Sequence, residues 1–339
     1  MVKYFLFIAT LSFLSLKAQS ISDSAKIISY EEKLILRINF DTNIEDFVAS
    51  FKNSDKDFHI RLSINNKIRT SFSIDYKIIS AALSFTPDFI PGNDDNDLKG
   101  KSSYTDFRFR FFPDQIIQTL GYRNVKGFYL DNMEDFFPDW QKGKDPYFQF
   151  PNLKIQTFSG STSYVFNKDF SLKSILYQRE WQNYSSGSLI PEIEYDLSLF
   201  KNKIDEVRTK ETQLNLGFNL GYHYNWVIQK KVNIAPYFFT GIGRKWTSYK
   251  ADIQNFPAER NNYWVGKAGA GIHLGYNSET FFSGIKLNLN SSYYREDSSS
   301  EITNTNVFGL IYFGYRFPPP KILKRNYDNV KKKVPSYKL

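Results

Sequence analysis

Strict alternation of apolar and polar residues runs through most of the chain. Between Thr212 and Trp226, Leu214, Leu216, Phe218, Leu220, Tyr222, Tyr224 and Trp226 fall on one face. Asn215, Gly217, Asn219, Gly221, His223 and Asn225 fall on the other. Successive side chains of a strand point to opposite sides, so a period of two predicts a strand with one apolar and one polar face. The pattern recurs at Phe58–Ile64, Ile68–Tyr76, Phe107–Phe111, Ala268–Tyr276 and Phe281–Tyr293. The longest of these runs exceeds the roughly 9–11 tilted residues that cross a bilayer.

A soluble sandwich also alternates, and two features separate the readings. Short turns near 76–77, 113–114, 167–169, 229–231 and 277–279 alternate with long polar stretches near 87–102, 131–152, 183–211, 245–262 and 295–304. Outer-membrane barrels are built this way, with short periplasmic turns and long extracellular loops. Aromatics such as Tyr76, Tyr222, Tyr224 and Trp226 gather at strand ends, where interfacial girdles sit. The expected fold is therefore all-β: a transmembrane antiparallel up-and-down β-barrel of about 12–14 strands.

Strands are expected near 33–40, 45–53, 57–64, 67–76, 79–86, 103–112, 115–130, 153–166, 170–182, 212–226, 232–244, 263–276, 280–294 and 305–317. The stretch 45–53 carries the weakest pattern, and losing that hairpin leaves about twelve, also an even count. Pro236 predicts a bulge or kink. Leu197, Phe200, Ile204 and Val207 predict a short amphipathic helix in the 183–211 loop.

Composition narrows the class. The 339 residues are 18% aromatic, yet mean hydropathy is −0.44. That combination excludes a helical membrane protein, which needs apolar runs of about 20 residues. Cysteine is absent, which removes thiol chemistry and cysteine metal sites. Met1-Val2-Lys3, the apolar run Tyr4–Leu16 and then Lys17-Ala18 read as a signal peptide over 1–18. Residues 19–32 form a periplasmic lead, 33–317 the barrel and 318–339 a basic periplasmic tail. The expected location is the outer membrane, reached after cleavage of that peptide.

Of the formal +9, the tail carries +6 and the leader +2, which leaves +1 for the body. A nucleic-acid-binding domain places its charge on a folded face, so nucleic acid is not expected as a partner. The expected partners are outer-membrane lipids and lipopolysaccharide, the barrel-assembly machinery and other outer-membrane proteins.

The run Asn167-Lys168-Asp169-Phe170-Ser171 leads into Gln178-Arg179-Glu180-Trp181-Gln182 and then Ser185-Ser186-Gly187-Ser188. With Gly127-Phe128-Tyr129-Leu130, Gly275-Tyr276-Asn277-Ser278 and the closing Tyr315-Arg316-Phe317, the chain resembles the uncharacterised Bacteroidetes outer-membrane family called domain of unknown function 4421. The likeness covers most of the chain after about residue 30, and its distinctive part is 167–188. Ser186, where the family favours Ala, and the basic tail depart from its pattern. The resemblance implies an outer-membrane barrel and no established activity.

Gln178, Glu180, Gln182, Ser185, Ser186 and Ser188 form a candidate polar cluster at the barrel mouth. Its bland reading is a structural network. A catalytic reading would use Ser186 or Ser188 as nucleophile, His223 as base and Glu180 as acid, in mutual hydrogen-bond reach. No catalytic, cofactor-binding or metal-ligating set is assigned. His59, His223 and His273 lie far apart in strand order and read as solvated lumen residues. Asn93-Asp94-Asp95-Asn96-Asp97 lacks the spaced ligands of a calcium loop and reads as a solvated acidic loop.

By alternation, Arg37, Arg61, Arg69, Arg108, Arg110, Lys173, Arg179, Lys267, Lys286 and Arg316 point inward, against Asp57, Asp75 and Asp106. Charges avoid lipid in any barrel, but an excess of one sign points to an anion-favouring lumen. The favoured function is a passive channel or a structural, accessory barrel, without enzymatic activity. The alternatives are an enzyme acting on lipid or lipopolysaccharide and a subunit of an outer-membrane assembly.

Overall fold

Twelve antiparallel strands close into a barrel. The computed structural model describes residues 25–42, 47–52, 57–204, 206–253, 257–295 and 301–333; the expected signal peptide lies outside them. In chain order the first strands are β1 (Ile27–Ser29), β2 (Leu34–Asp41), β3 (Phe47–Lys52), β4 (Asp57–Ser63), β5 (Arg69–Tyr76) and β6 (Ile79–Phe85). Next come β7 (Ser103–Phe111), β8 (Ile116–Leu130), β9 (Gln149–Tyr164), β10 (Glu180–Gln182) and β11 (Ser186–Ile204). The last are β12 (Val207–Ile228), β13 (Val232–Ala251), β14 (Glu259–Asn277), β15 (Phe281–Arg295) and β16 (Glu301–Phe317). Helices are α1 (Asn96–Lys99), α2 (Leu172–Leu176) and α3 (Lys321–Lys333).

The wall runs β2, β5, β6, β7, β8, β9, β11, β12, β13, β14, β15, β16 and closes where Leu34–Asp41 pairs with Phe317–Leu310. Every wall strand thus has a partner on both sides, which lets backbone cross lipid with its polar groups satisfied. Along β12 the outward side chains are the apolar set read from the sequence. Leu214, Leu216, Phe218, Leu220, Tyr222 and Trp226 are exposed, while Asn219 and Asn225 are buried inside. An apolar exterior around a polar interior inverts a soluble protein and marks a transmembrane barrel of the outer-membrane type. No described helix is long and apolar enough to cross a membrane; the strands do the crossing.

Three expectations about elements are corrected. The strands expected at 45–53 and 57–64 form a hairpin outside the ring, joined to β8 by only Leu62↔Leu130 and Ser63↔Tyr129. β2 pairs directly with β5 instead. The strand expected at 170–182 leaves the wall and turns into the lumen as α2 and β10. The 183–211 loop and its helix are replaced by the long wall strand β11, whose Leu189, Ile193, Tyr195 and Leu197 face outward. Pro236 interrupts the β12–β13 ladder between His223↔Tyr237 and Trp226↔Ile234 without shifting its register. The true bulge is at Gly127 (φ +82°), where an added Cβ would strike the Lys101 carbonyl oxygen.

The tail folds back as α3 at the short-turn end, where the Tyr327 ring meets Tyr76 edge-on at 5.6 Å.

Candidate functional site: a plugged lumen

Neither face of 170–182 suits lipid. Alternation would turn Gln178, Glu180 and Gln182 one way and Lys173 and Arg179 the other. Charge on the lipid face costs up to about 2–4 kcal/mol per residue at mid-membrane. The segment instead folds inward at the short-turn end. Ser171 caps α2, its Oγ accepting from the Ser174 backbone N–H at 2.9 Å. Phe170, Leu172 and Ile175 then bury against Phe112, Ile117, Ile190 and Ala235 of the wall. β10 pairs with β1, and Trp181 packs among Tyr30, Ile35, Phe282 and Tyr312. Two apolar clusters thus fill the barrel end, each buried large side chain contributing about 1.5–3 kcal/mol.

Wall cations fasten this plug through main-chain oxygens. The last carbonyls of a helix have no partner within it. Arg37 and Lys286 both donate to the Leu176 carbonyl, at 3.0 and 3.1 Å. Arg37 also donates to Gln178 Oε1 at 2.7 Å, and Gln178 Nε2 donates back to the Ile175 carbonyl at 2.7 Å. Arg316, stacked 3.7 Å from the Tyr30 ring centre, donates to the Gln178 carbonyl, the Ser278 carbonyl and Asn277 Oδ1, each at 2.7 Å. These three cations sit on the consecutive wall strands β15, β16 and β2.

Above the plug lies a cup of about 540 Å³. Leu172, Ile175, Leu176 and Tyr177 are its floor, and it extends along β15 and β16 to Ser292 and Asn304. Charge in the lumen is segregated. Glu192, Glu194 and Asp196 alternate inward on β11, where Glu192 accepts from Ser163 Oγ at 2.6 Å and Asp196 from Asn215 Nδ2 at 2.9 Å. Lys267 pairs with Glu194. β2 stands six strands away around the ring of twelve, diametrically opposite, and begins the basic side with Arg37, Arg69, Arg108 and Arg110. The β11 acids were missed because their strand read as a loop.

The proposed mouth cluster lies at the opposite end from the long loops, and each member is a staple of the plug. Glu180 accepts from Ser171 Oγ at 2.6 Å, and Gln182 Oε1 from the Ser171 N–H at 3.0 Å. Ser186 and Ser188 accept from Asn167 Nδ2 and Asn167 N, both at 3.0 Å, and Ser185 from the Val227 N–H at 3.0 Å. Ser188 stands opposite His223 in the ladder, but its hydroxyl donates to the Leu189 carbonyl, and His223 stacks on Tyr237 at 4.9 Å. Ser188, His223 and Glu180 do not form a hydrogen-bonded triad.

Of the ten basic residues expected in the lumen, Arg37, Arg69, Arg108, Arg110, Lys267, Lys286 and Arg316 are there. Arg61 is not: its hairpin lies outside the wall, and it is exposed, 3.5 Å from Asp131. Lys173 and Arg179 are inside but on the plug, beside Glu180 at 3.4 Å and Asp75 at 3.5 Å. His273 is buried between Asn233 and Tyr312, 2.7 Å from the Tyr312 hydroxyl. The side chains of Asp57 and His59 lie outside the described residues. Among the described residues no three His, Asp or Glu side chains gather as metal ligands. The Asn93–Asp97 loop is a clasp: Asn93 Oδ1 accepts from the Lys67 and Ile68 N–H groups, and the Lys99 ammonium bonded to Asp95 holds that carboxyl below its usual range.

The sequence model of one family, a domain of unknown function (DUF4421), matches residues 22–317. The chain belongs to this family. The match takes in the whole wall and the plug, and the resemblance carried by 167–188 therefore rests on the plug itself. No curated protein matches the chain in sequence. Among solved structures it is similar to LpxR from Salmonella typhimurium, at 10% identity and a TM-score of 0.35 over 83% of this chain and 99% of that one. It is also similar to OmpT, an outer membrane protein of Vibrio cholerae, at 7% and 0.32 over 86% and 100%. A third is the outer membrane protease OmpT of Escherichia coli, at 6% and 0.31 over 87% and 98%.

Proposed function

We propose that this barrel works closed: a small polar solute enters the cup from the long-loop end and halts on the plug, in place of free passage through an open pore. The observation that carries the reading is the fastening of 165–185 across the lumen by Arg37, Lys286 and Arg316. Hydroxyls, amides and paired carboxylates line the cup, which suits a solute that forms many hydrogen bonds. The leader delivers the chain to the outer membrane, and the apolar exterior takes up its lipid.

Conductance in planar bilayers tests the reading. The wild type is expected to be silent. A variant in which a short Gly-Ser turn replaces residues 168–183, joining β9 directly to β11, is expected to show stepwise openings. Wild-type conductance equal to that of the variant would overturn the proposal. So would a folded, plugless barrel that stays silent.

A further inference from the structure

A second chamber of about 200 Å³ adjoins the cup, sharing Leu176, Tyr177 and Lys286 with it. Five cations line it: Arg37, Arg69, Arg108, Arg110 and Lys286. Two are neutralised. Arg69 clasps Asp41 through Nε at 3.2 Å and a terminal nitrogen at 2.7 Å, and Arg108 clasps Asp106 at 2.9 and 3.3 Å. The other three have no carboxylate in salt-bridge contact. Arg37 is 7% exposed, bonds only to the neutral oxygens of Leu176 and Gln178, and leaves its buried Nε without a partner. Arg110 is 8% exposed, reaches only Ser80 Oγ at 3.5 Å and lies over the Tyr177 ring at 5.1 Å. Lys286 holds the Leu176 carbonyl and faces the Tyr312 ring at 5.6 Å. Asp75, fully buried, is the nearest other carboxylate: it is 3.5 Å from Arg179 and acts on Arg110 only from beyond Ser80, which stands between them in the ladder.

Buried charges are paired or bind ions, because desolvation is too costly otherwise. Here three cations without a salt-bridge partner converge on one small space. We propose that the chamber is an anion site for a small oxyanion, a phosphate or carboxylate, bound by Arg110, Lys286 and the free edge of Arg37. Guanidinium groups present a planar fork that matches such oxygens in pairs. At roughly 30 Å³ per water, the chamber holds one such anion and a few waters. The proposal names the solute class of the closed cup and rests on that reading only for the route of entry.

The test uses the full-length protein refolded in detergent, with inorganic phosphate as probe and chloride at matched ionic strength as control. Calorimetry is expected to show saturable phosphate binding of one anion per chain and none for chloride. Arg110→Gln and Lys286→Met should each weaken it at least about tenfold, as loss of a charge-assisted hydrogen bond does. Lys144→Gln, which removes a charge from an exposed loop, should not. If the chamber variants fail to fold, the wild type alone decides: phosphate should raise its melting temperature and chloride should not. Absence of both saturable binding and a melting shift overturns the site, as does binding that survives the two chamber substitutions. Conductance is read separately, so an open pore that still binds phosphate would sink the closed reading and spare this one.

Discussion

Arg316 shows how one wall residue sets the state of the lumen. Only 1% of it is exposed, and its guanidinium is sandwiched between the rings of Tyr30 and Phe282 while three oxygens of the plug and the β14–β15 turn accept from it. Arg316→Met keeps the stem and its packing but leaves those acceptors buried without a donor, at about 1–3 kcal/mol each. The expected loss is about 3 kcal/mol, read as a lower urea midpoint of the refolded barrel. An unchanged midpoint would show that water takes over all three oxygens. The sequence placed Arg316 on the inner face but said nothing of its partners. Those are Gln178, Asn277 and Ser278, far apart in the chain and brought together by the plug and the ring.

At the level of elements, the β3–β4 hairpin is an ornament on a wall that closes without it. The β2–β5 ladder from Ile35↔Asp75 to Asp41↔Arg69 omits it, and it reaches from β16, which β3 touches, to β8 and the loop beyond, where Asn132 Oδ1 accepts from the Arg61 N–H. Replacing residues 43–67 with a short turn should therefore leave a barrel that still migrates faster unheated than boiled on a denaturing gel. The 131–148 loop, which loses Ile60 and Leu62 from its apolar cluster, should be cut sooner by protease. A barrel that no longer resists denaturant would place the hairpin in the wall. The weak pattern at 45–53 sets β3 apart from the wall, whereas β4, with Phe58, Ile60 and Leu62 on one face, alternates as a wall strand does. At 170–182 the alternation itself breaks down: Ile175-Leu176-Tyr177 is an apolar run, Gln178-Arg179-Glu180 a polar one, neither face could meet lipid, and Ser171 caps a helix. At 186–204 polar composition hid a strand whose Leu189, Ile193, Tyr195 and Leu197 keep the period. The wall was legible from local pattern, whereas the plug required asking what each face would touch.

Across the whole molecule, outward tryptophans mark how the barrel sits in lipid. Trp226 pairs in the ladder with Ile234, and Trp246 lies twelve residues further along β13, level with Trp264 one strand away. At about 3.3 Å per residue and a tilt of about 40°, the two levels stand about 30 Å apart, the thickness of the hydrocarbon core. Phe238 and Ile242 fill the band between them, and Arg244 lies over the Trp264 ring at 4.7 Å, a cation anchored at the upper boundary. β12, with 22 residues, would be about 70 Å long at the usual rise, so the β11–β12 and β13–β14 hairpins rise well clear of the membrane. Trp181 sits inside the plug at 3% exposure. Single-tryptophan variants reconstituted with brominated lipids separate these positions. Trp226, Trp246 and Trp264 should be quenched, more by bromines near the headgroup than by bromines near the chain end. Trp181 should be untouched. Equal quenching of Trp181 and Trp226 would mean that lipid reaches 170–182, which would return that segment to the wall and leave the lumen without its plug.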